Sequence, residues 1–283
     1  MKLTVGCIFR DSEKKLPVFF NQLEALEKQY DMIYYFYEND STDKTPQLLR
    51  KWLKDREGEL LSEKLSAKKW HHEGPGPRMK FMAECREKLL SLMRPIETKW
   101  CFLIDSDVKY KNDIIEQYIA IADEYPKAAA FAPFIEHNMR CHMHKFIGKR
   151  CKKKAYYDTL ALEDIKGQNS MVFSCNPFWE KEDRNNCDNL KPIKVNMAYG
   201  GAVLIKSESA LTASYLPCPG KIDHENFLRC IKNNGDILFV PKIRVYTHVR
   251  KSVQPSDSLL DWQHRFLKDP WKRLVGTINK TIY

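Results

Sequence analysis

No stretch of the 283-residue chain approaches 18 consecutive apolar residues, so no part of it is read as a membrane span. The first residues, MKLTVGCIFRDSEKKLP, hold an apolar run that charge interrupts too early for the core of a signal peptide. No G-x-G-x-x-G follows the first predicted strand, and no G-x-x-x-x-G-K-[ST] occurs anywhere. The glycine cradle of a dinucleotide-binding turn and the phosphate-binding lysine of a P-loop are thereby excluded. Internal repeats and low-complexity tracts are also missing, which excludes solenoids and repeat arrays. The nine cysteines have no regular spacing, and an odd number cannot all pair within one chain. A reduced, cytoplasmic setting is the expectation. The glycosylation sequon at Asn39 points the same way, because it falls in the candidate site; a second lies at Asn279.

What is present is ordinary globular material, 43% hydrophobic and 30% charged, of a length that fits one large α/β domain or two small ones. The net charge of +10 suggests an anionic partner. The densest basic run, KRCKKK at Lys149–Lys154, reads as a solvated loop, and only Tyr156 and Tyr157 follow it. Without interleaved aromatics or a recognisable module, nucleic acid is not the partner expected.

Alternation organises the first half. LTVGCIF (3–9) is a strand by its β-branched and aromatic content, and Leu16, Phe19, Phe20, Leu23 and Leu26 give a helical period over 14–29. MIYYFYEND (32–40) is a second strand, and STDKTPQLLRKWLKD opens a helix with capping chemistry. A strand near 59–64, a helix over 79–93, the strand in KWCFLIDSDVKY (99–110), a helix in KNDIIEQYIAIADEY and a strand in KAAAFAPFI follow. Strand–helix alternation predicts a Rossmann-like α/β fold, a mixed, mostly parallel sheet flanked by helices. Ligands bind at the carboxyl ends of such strands, which puts Glu38–Asp43 and Asp105–Asp107 on one rim.

An Asp-x-Asp triplet by itself says little, since a chain this long holds about one by chance. Asp105 and Asp107, however, follow directly on a buried strand, where unpaired carboxylates would repel. A divalent cation relieves that repulsion and, in place of the missing glycine loops, holds a diphosphate as leaving group.

Five segments, in order, resemble those of the metal-dependent GT-A glycosyltransferases. They are YENDSTDKT (37–45), RMKFMAECREKLL (78–90), LIDSDV (103–108), YGGAVLIKS (199–207) and DHENFLRCIKNNGDILFVPKIRVYTHV (223–249). YYDTLALED (156–164) is similar to a segment of the capsule-associated fungal mannosyltransferases and related viral sugar transferases. The resemblance implies a GT-A catalytic domain over 1–250, with an acceptor-side insert at 136–198 and a helical tail over 251–283. It also implies Mn²⁺ or Mg²⁺, a nucleotide-sugar donor with UDP favoured over GDP, and a glycan or glycoprotein acceptor.

Carried over residue by residue, Asp107 would ligate the metal. Asp105 would ligate it too or contact the ribose, and His248 would complete the set; the alternative for His248 is a strand-end histidine bonded to backbone. Glu38 and Asp40 would read base and ribose, or simply cap a helix. Arg78 would touch the nucleotide, whereas Arg86 pairs either with ligand or locally with Glu84 or Glu87. Gly200 and Gly201 would let the sugar approach backbone, or form a bulge. Asp223 is favoured as general base, then Glu225, with His224 assigned to helix packing. A base there implies inversion; the fungal resemblance implies retention. Within the insert, Phe178 and Trp179 suit sugar stacking or packing, and Asp158 and Asp164 face the acceptor or lie on the surface. Cys141, His142, His144 and Cys151 have zinc-type atoms at a spacing that matches no established site. The competing functions are a sugar-nucleotide nucleotidyltransferase, which wants a glycine-rich amino terminus, and a non-catalytic nucleic-acid-binding protein, which rests on charge alone.

Overall fold

The run WCFLI has no polar residue, and in the computed structural model it is the central strand β4 (Trp100–Ile104), buried throughout and paired on both sides. The structure describes residues 1–66, 75–94, 97–140, 152–170, 175–219 and 222–247. Before β4 come β1 (Lys2–Phe9), α1 (Leu16–Glu27), β2 (Asp31–Asn39), α2 (Thr45–Leu53), β3 (Gly58–Glu63) and α3 (Pro75–Met93). After it come β5 (Val108–Lys109), α4 (Ile114–Glu124), β6 (Ala128–Arg140), β7 (Lys152–Tyr156), β8 (Glu163–Asp164) and α5 (Lys181–Asp188). The series closes with β9 (Ile193–Met197), β10 (Ala202–Lys206), α6 (Ser207–Thr212), α7 (Glu225–Asn234) and β11 (Asp236–Thr247).

These strands form one mixed sheet in the order β3-β2-β1-β4-β10-β6-β11-β9-β8, with β5 on β11 and β7 on β6. The expected α/β architecture is present, and its parallel block is β3-β2-β1-β4. Beyond β4 the only parallel pair is β6 with β11, and the other pairings among the described residues are antiparallel. Phe9 pairs with Glu38 and Gly6 with Leu103, so β1, β2 and β4 all end at the same rim.

Packing follows the predicted faces. Leu16, Phe19, Leu23 and Leu26 are the buried stripe of α1. Phe19 meets Phe9 edge-on at 5.2 Å, and Phe9 meets Phe36 at 5.2 Å, in a cluster that fixes α1 over β1 and β2. Each such ring contributes about 1.5–3 kcal/mol by burial. Part of the basic run departs from the sequence reading. Lys152–Lys154 are strand, paired with Asn138–Arg140, rather than loop. No helix among the described residues is long and apolar enough to cross a membrane. These residues belong to a compact unit, Met1–His248; a second, Val249–Tyr283, and with it the predicted tail, lies outside the described residues.

Candidate active site

At the end of β4 the chain turns. Asp105 N–H donates to the Gly201 carbonyl at 2.8 Å, and Val108 N–H donates back to the Asp105 carbonyl at 3.2 Å. The turn leaves both carboxylates on the rim and leads into β5, where Val108 pairs with Thr247 and Lys109 with Tyr246. Both acids are already partnered by cations. Lys15 Nζ, from the β1–α1 loop, lies 3.1 Å from Asp107 Oδ2. Arg86 Nη2 lies 3.0 Å from Asp105 Oδ1.

Arg86 is the hub of the site. Its side chain is only 7% exposed. Nε donates to Asp223 Oδ2 at 2.7 Å, Nη1 to the Tyr199 hydroxyl at 3.2 Å and Nη2 to Asp105. One guanidinium thus joins α3, the end of β4, the segment before β10 and the residues leading into α7. The local helix pairing weighed from the sequence does not form. Glu87 instead accepts from Tyr215 N–H at 2.7 Å and Ser214 Oγ at 2.9 Å. Burial raises the Asp105 carboxyl, with Arg86 opposing and Asp107 adding to the rise. Burial also works to raise Asp223, but His224 and the Arg86 charge and hydrogen bond outweigh it and bring that carboxyl down to about 2.

His224 stacks on Tyr199 at 3.7 Å and 14°. Burial first, then the Arg86 charge, lowers it to about 3, so the ring is neutral and its 3.6 Å approach to Asp223 is no ion pair at neutral pH. This gives a pH prediction. Between its folded value of about 3 and its ordinary 6.5, His224 binds a proton more readily in the unfolded chain, so its contribution to stability falls as pH drops through that window. Asp158, raised from 3.8 to about 6, acts in the opposite sense between those values. Melting temperatures of wild type and His224→Phe should therefore separate as pH is lowered from 6.5 towards 4, the wild type losing more. Parallel curves would refute a buried neutral histidine.

The two loops at the ends of β1 and β2 lock each other. Asp11 Oδ1 accepts from Thr42 N–H at 2.7 Å, Ser41 Oγ accepts from Asp11 N–H at 3.0 Å, and Asp43 Oδ2 accepts from Glu13 N–H at 3.0 Å. Glu38 lies beneath this loop, 1% exposed, with Oε1 accepting from Ser41 N–H and Oε2 from Ser62 Oγ. One oxygen holds the loop and the other holds Ser62 of β3, so both are engaged within the protein and a direct contact of Glu38 with a base, as expected from the sequence, does not fit this geometry. Asp40 Oδ1 accepts from the Leu65 and Ser66 amides at 2.7 and 2.9 Å. Asn39 is buried, which closes its sequon to glycosylation in the folded chain.

Gly200 and Gly201 both have positive φ, +65° and +70°. A Cβ on Gly200 would lie 2.6 Å from the Pro133 carbonyl oxygen, and one on Gly201 would lie 2.7 Å from Val108 Cγ2 and 3.3 Å from Asp105 Oδ2. Neither position tolerates a side chain. Gly200 N–H donates to Asp158 Oδ2 at 3.0 Å, which draws the YYDT segment to the rim.

The remaining expected residues fall elsewhere. Arg78 is exposed near the start of α3. Glu225 points along α7 to Arg229 at 3.1 Å and borders a hollow of about 260 Å³ with Pro217 and Pro219. Phe178 is core, 5.2 Å edge-on to Phe239, whereas Trp179 is exposed. Asp164 is buried and accepts from the Lys166 and Gln168 amides, which makes it a turn-former rather than a surface charge. His248, Cys141, His142, His144 and Cys151 lie outside the described residues. A larger hollow of about 490 Å³, lined by Tyr30, Asp31 and Arg56, sits at the opposite end of β2 and shares no residue with the rim.

Sheet and rim together define an α/β protein with the fold of the GT-A glycosyltransferases. A family model described as Cryptococcal mannosyltransferase 1 matches residues 21–236, and the chain belongs to this family. Two solved structures share the fold. TarS 1–349 of S. aureus, in complex with UDP, is 14% identical with a TM-score of 0.50; the match covers 88% of this chain and 61% of that one. The mannosyltransferase PcManGT from Pyrobaculum calidifontis, in complex with GDP-Man and Mn²⁺, is 12% identical with a TM-score of 0.50, covering 89% and 58%. The chain thus spans about three fifths of the length of either. No curated protein matches it in sequence.

Proposed function

We propose that the chain transfers a glycosyl group from a nucleoside diphospho-sugar to a hydroxyl of a glycan or glycoprotein acceptor, with a divalent cation at Asp105 and Asp107. The observation that carries this reading is the rim on which Arg86 ties Asp105 to Asp223 while Gly200–Gly201 closes against Asp105. The family description speaks for mannosyl, which makes GDP-mannose the first donor to test and moves the weight away from UDP.

The carboxylates suit the cation. They are hard oxygen donors, as Mn²⁺ and Mg²⁺ prefer, and Lys15 Nζ already places a positive charge against Asp107. No group of three or more candidate ligands converges among the described residues, so two carboxylates need further donors. Diphosphate oxygens are one source. His248, outside the described residues, is the other on the strength of the resemblance alone. When bound, the cation supplies positive charge to the departing diphosphate. The protein's own part is positional. The locked loops after β1 and β2 present a preformed wall to the nucleoside, Arg86 holds Asp105 and Asp223 apart, and the diglycine admits the sugar. Asp223, fixed on Arg86 and lowered to about 2, is a weak proton acceptor as it stands.

The nucleotidyltransferase alternative loses ground here, because the loop after β1 turns two acids, Asp11 onto Thr42 N–H and Glu13 onto Lys44 N–H, instead of offering glycines to a phosphate. Calorimetry with GDP, UDP and a non-specific oligonucleotide, with and without Mn²⁺, tests the proposal. Metal-dependent binding of one nucleotide is expected; tight oligonucleotide binding without any metal-dependent nucleotide binding would overturn it.

A further inference from the structure

We propose that Asp158 is a specificity-determining residue that binds hydroxyl groups of the transferred sugar through its open carboxylate oxygen. The assignment rests on the transferase reading above and goes beyond it, since neither the Asp-x-Asp turn nor the acidic residues before α7 include this group. Asp158 follows β7 and reaches the rim by two anchors. Tyr157 N–H donates to the Ile135 carbonyl of β6 at 3.0 Å, and Asp158 Oδ2 accepts from Gly200 N–H at 3.0 Å. The adjoining Gly201 carbonyl accepts from Asp105 N–H, so one diglycine turn is bonded to Asp158 on one side and to Asp105 on the other. A Cβ on Gly201 would stand 3.3 Å from both Asp105 Oδ2 and Ile135 Cδ1, which shows how closely the two strands and this turn meet.

Among these carboxylates Asp158 is set apart by having no bonded cation among the described residues. Asp105 and Asp223 are bonded to Arg86, Asp107 to Lys15 and Glu225 to Arg229. Asp158 is half-buried, and its Oδ1 has no hydrogen-bond partner among the described residues. Burial, and then the nearby Asp105 and Asp223 charges, raise it to about 6 against the pull of the Gly200 N–H and Arg86. Such an anion is short of donors. Sugar hydroxyls are neutral donors of the right geometry, and they add no charge to a rim that must also accept a diphosphate. The phenol of Tyr156, the residue before the anchored pair, is pushed up by burial first and by Asp158 second, so it stays protonated.

Titration of the full chain in Mn²⁺ with GDP-mannose, UDP-N-acetylglucosamine, GDP and UDP tests the assignment. For the nucleotide that wild type binds, Asp158→Ala should weaken the nucleotide sugar about 10- to 100-fold, the scale of lost hydrogen bonds to a charged group, and the bare nucleotide less than about twofold. Asp158→Asn keeps one acceptor oxygen without the charge and should fall between. A donor lacking the contacted hydroxyl should cost wild type a similar factor and cost Asp158→Ala nothing further. Equal losses for sugar nucleotide and bare nucleotide, no loss for either, or additive losses across every deoxy-sugar donor overturn the assignment and leave the transferase reading standing. A wild type that binds none of the four nucleotides overturns both.

Discussion

Asp107→Ala is expected to slow transfer from the nucleotide sugar by about 10²–10⁴-fold, the worth of several kcal/mol of charge stabilisation at the leaving group. The fold should be untouched. Asp107 and its partner Lys15 are 46% and 41% exposed, and a pair so open to water contributes about 0–1 kcal/mol. A transfer assay, a thermal melt and a Mn²⁺-dependent nucleotide titration on the same preparation separate the two effects. Turnover near the wild-type rate would remove Asp107 from the cation site, and a collapsed melting temperature would mean that its role is structural.

Arg86→Met should do the reverse and damage the fold first. The substitution leaves Asp223 and Asp105, 12% and 31% exposed, without the cation that both share. Breaking a buried pair from one side costs about 3–5 kcal/mol, because the orphaned charge stays where water cannot reach it. Urea denaturation measures this directly, and a loss below about 1 kcal/mol would mean that the network is solvated. Arg86→Lys should recover part of the stability. A single ammonium supplies the charge but cannot span Asp223, Tyr199 and Asp105 with the planar fork that the three bonds require.

Arg86 also marks where the sequence stops being informative. Its neighbours in sequence, Glu84 and Glu87, were the local partners weighed, although at two and one positions away they do not share its helix face, and its bonded partners are 19, 113 and 137 positions away. Within the parallel block β1, β2 and β4 were legible as short apolar runs, with the helices α1 and α2 marked by periodicity and capping residues, whereas β3, GELLSE, carries little apolar signal. The later strands were harder. β6 runs 13 residues, well past the apolar KAAAFAPFI, and its outer end and β7 are held by backbone pairing among basic and polar residues that carry no strand pattern. Asp105 and Asp107 were found because a buried strand delivers them. Lys15 was not assigned, and Asp158 was left between the acceptor side and the surface, since nothing local in RDSEKKLP or YYDTLALED says which rim they reach. Glu38 shows the converse limit, as an acid in the expected segment whose side chain turns inward to Ser41 and Ser62.

The order in which a ribosome would deliver these pieces gives the Arg86 hub a further meaning. Asp105 emerges 19 residues after Arg86, but Tyr199 and Asp223 stand 113 and 137 residues after it, and Thr247, which seats β5, comes later still. Until then the nascent chain holds a guanidinium that the finished interior will surround with acids it does not yet have. The parallel block β3-β2-β1-β4 is complete by residue 104, but its rim cannot close. Contacts of such sequence separation are slow to form, so the binding rim should be the last region to gain hydrogen-exchange protection on refolding, well after the sheet behind it.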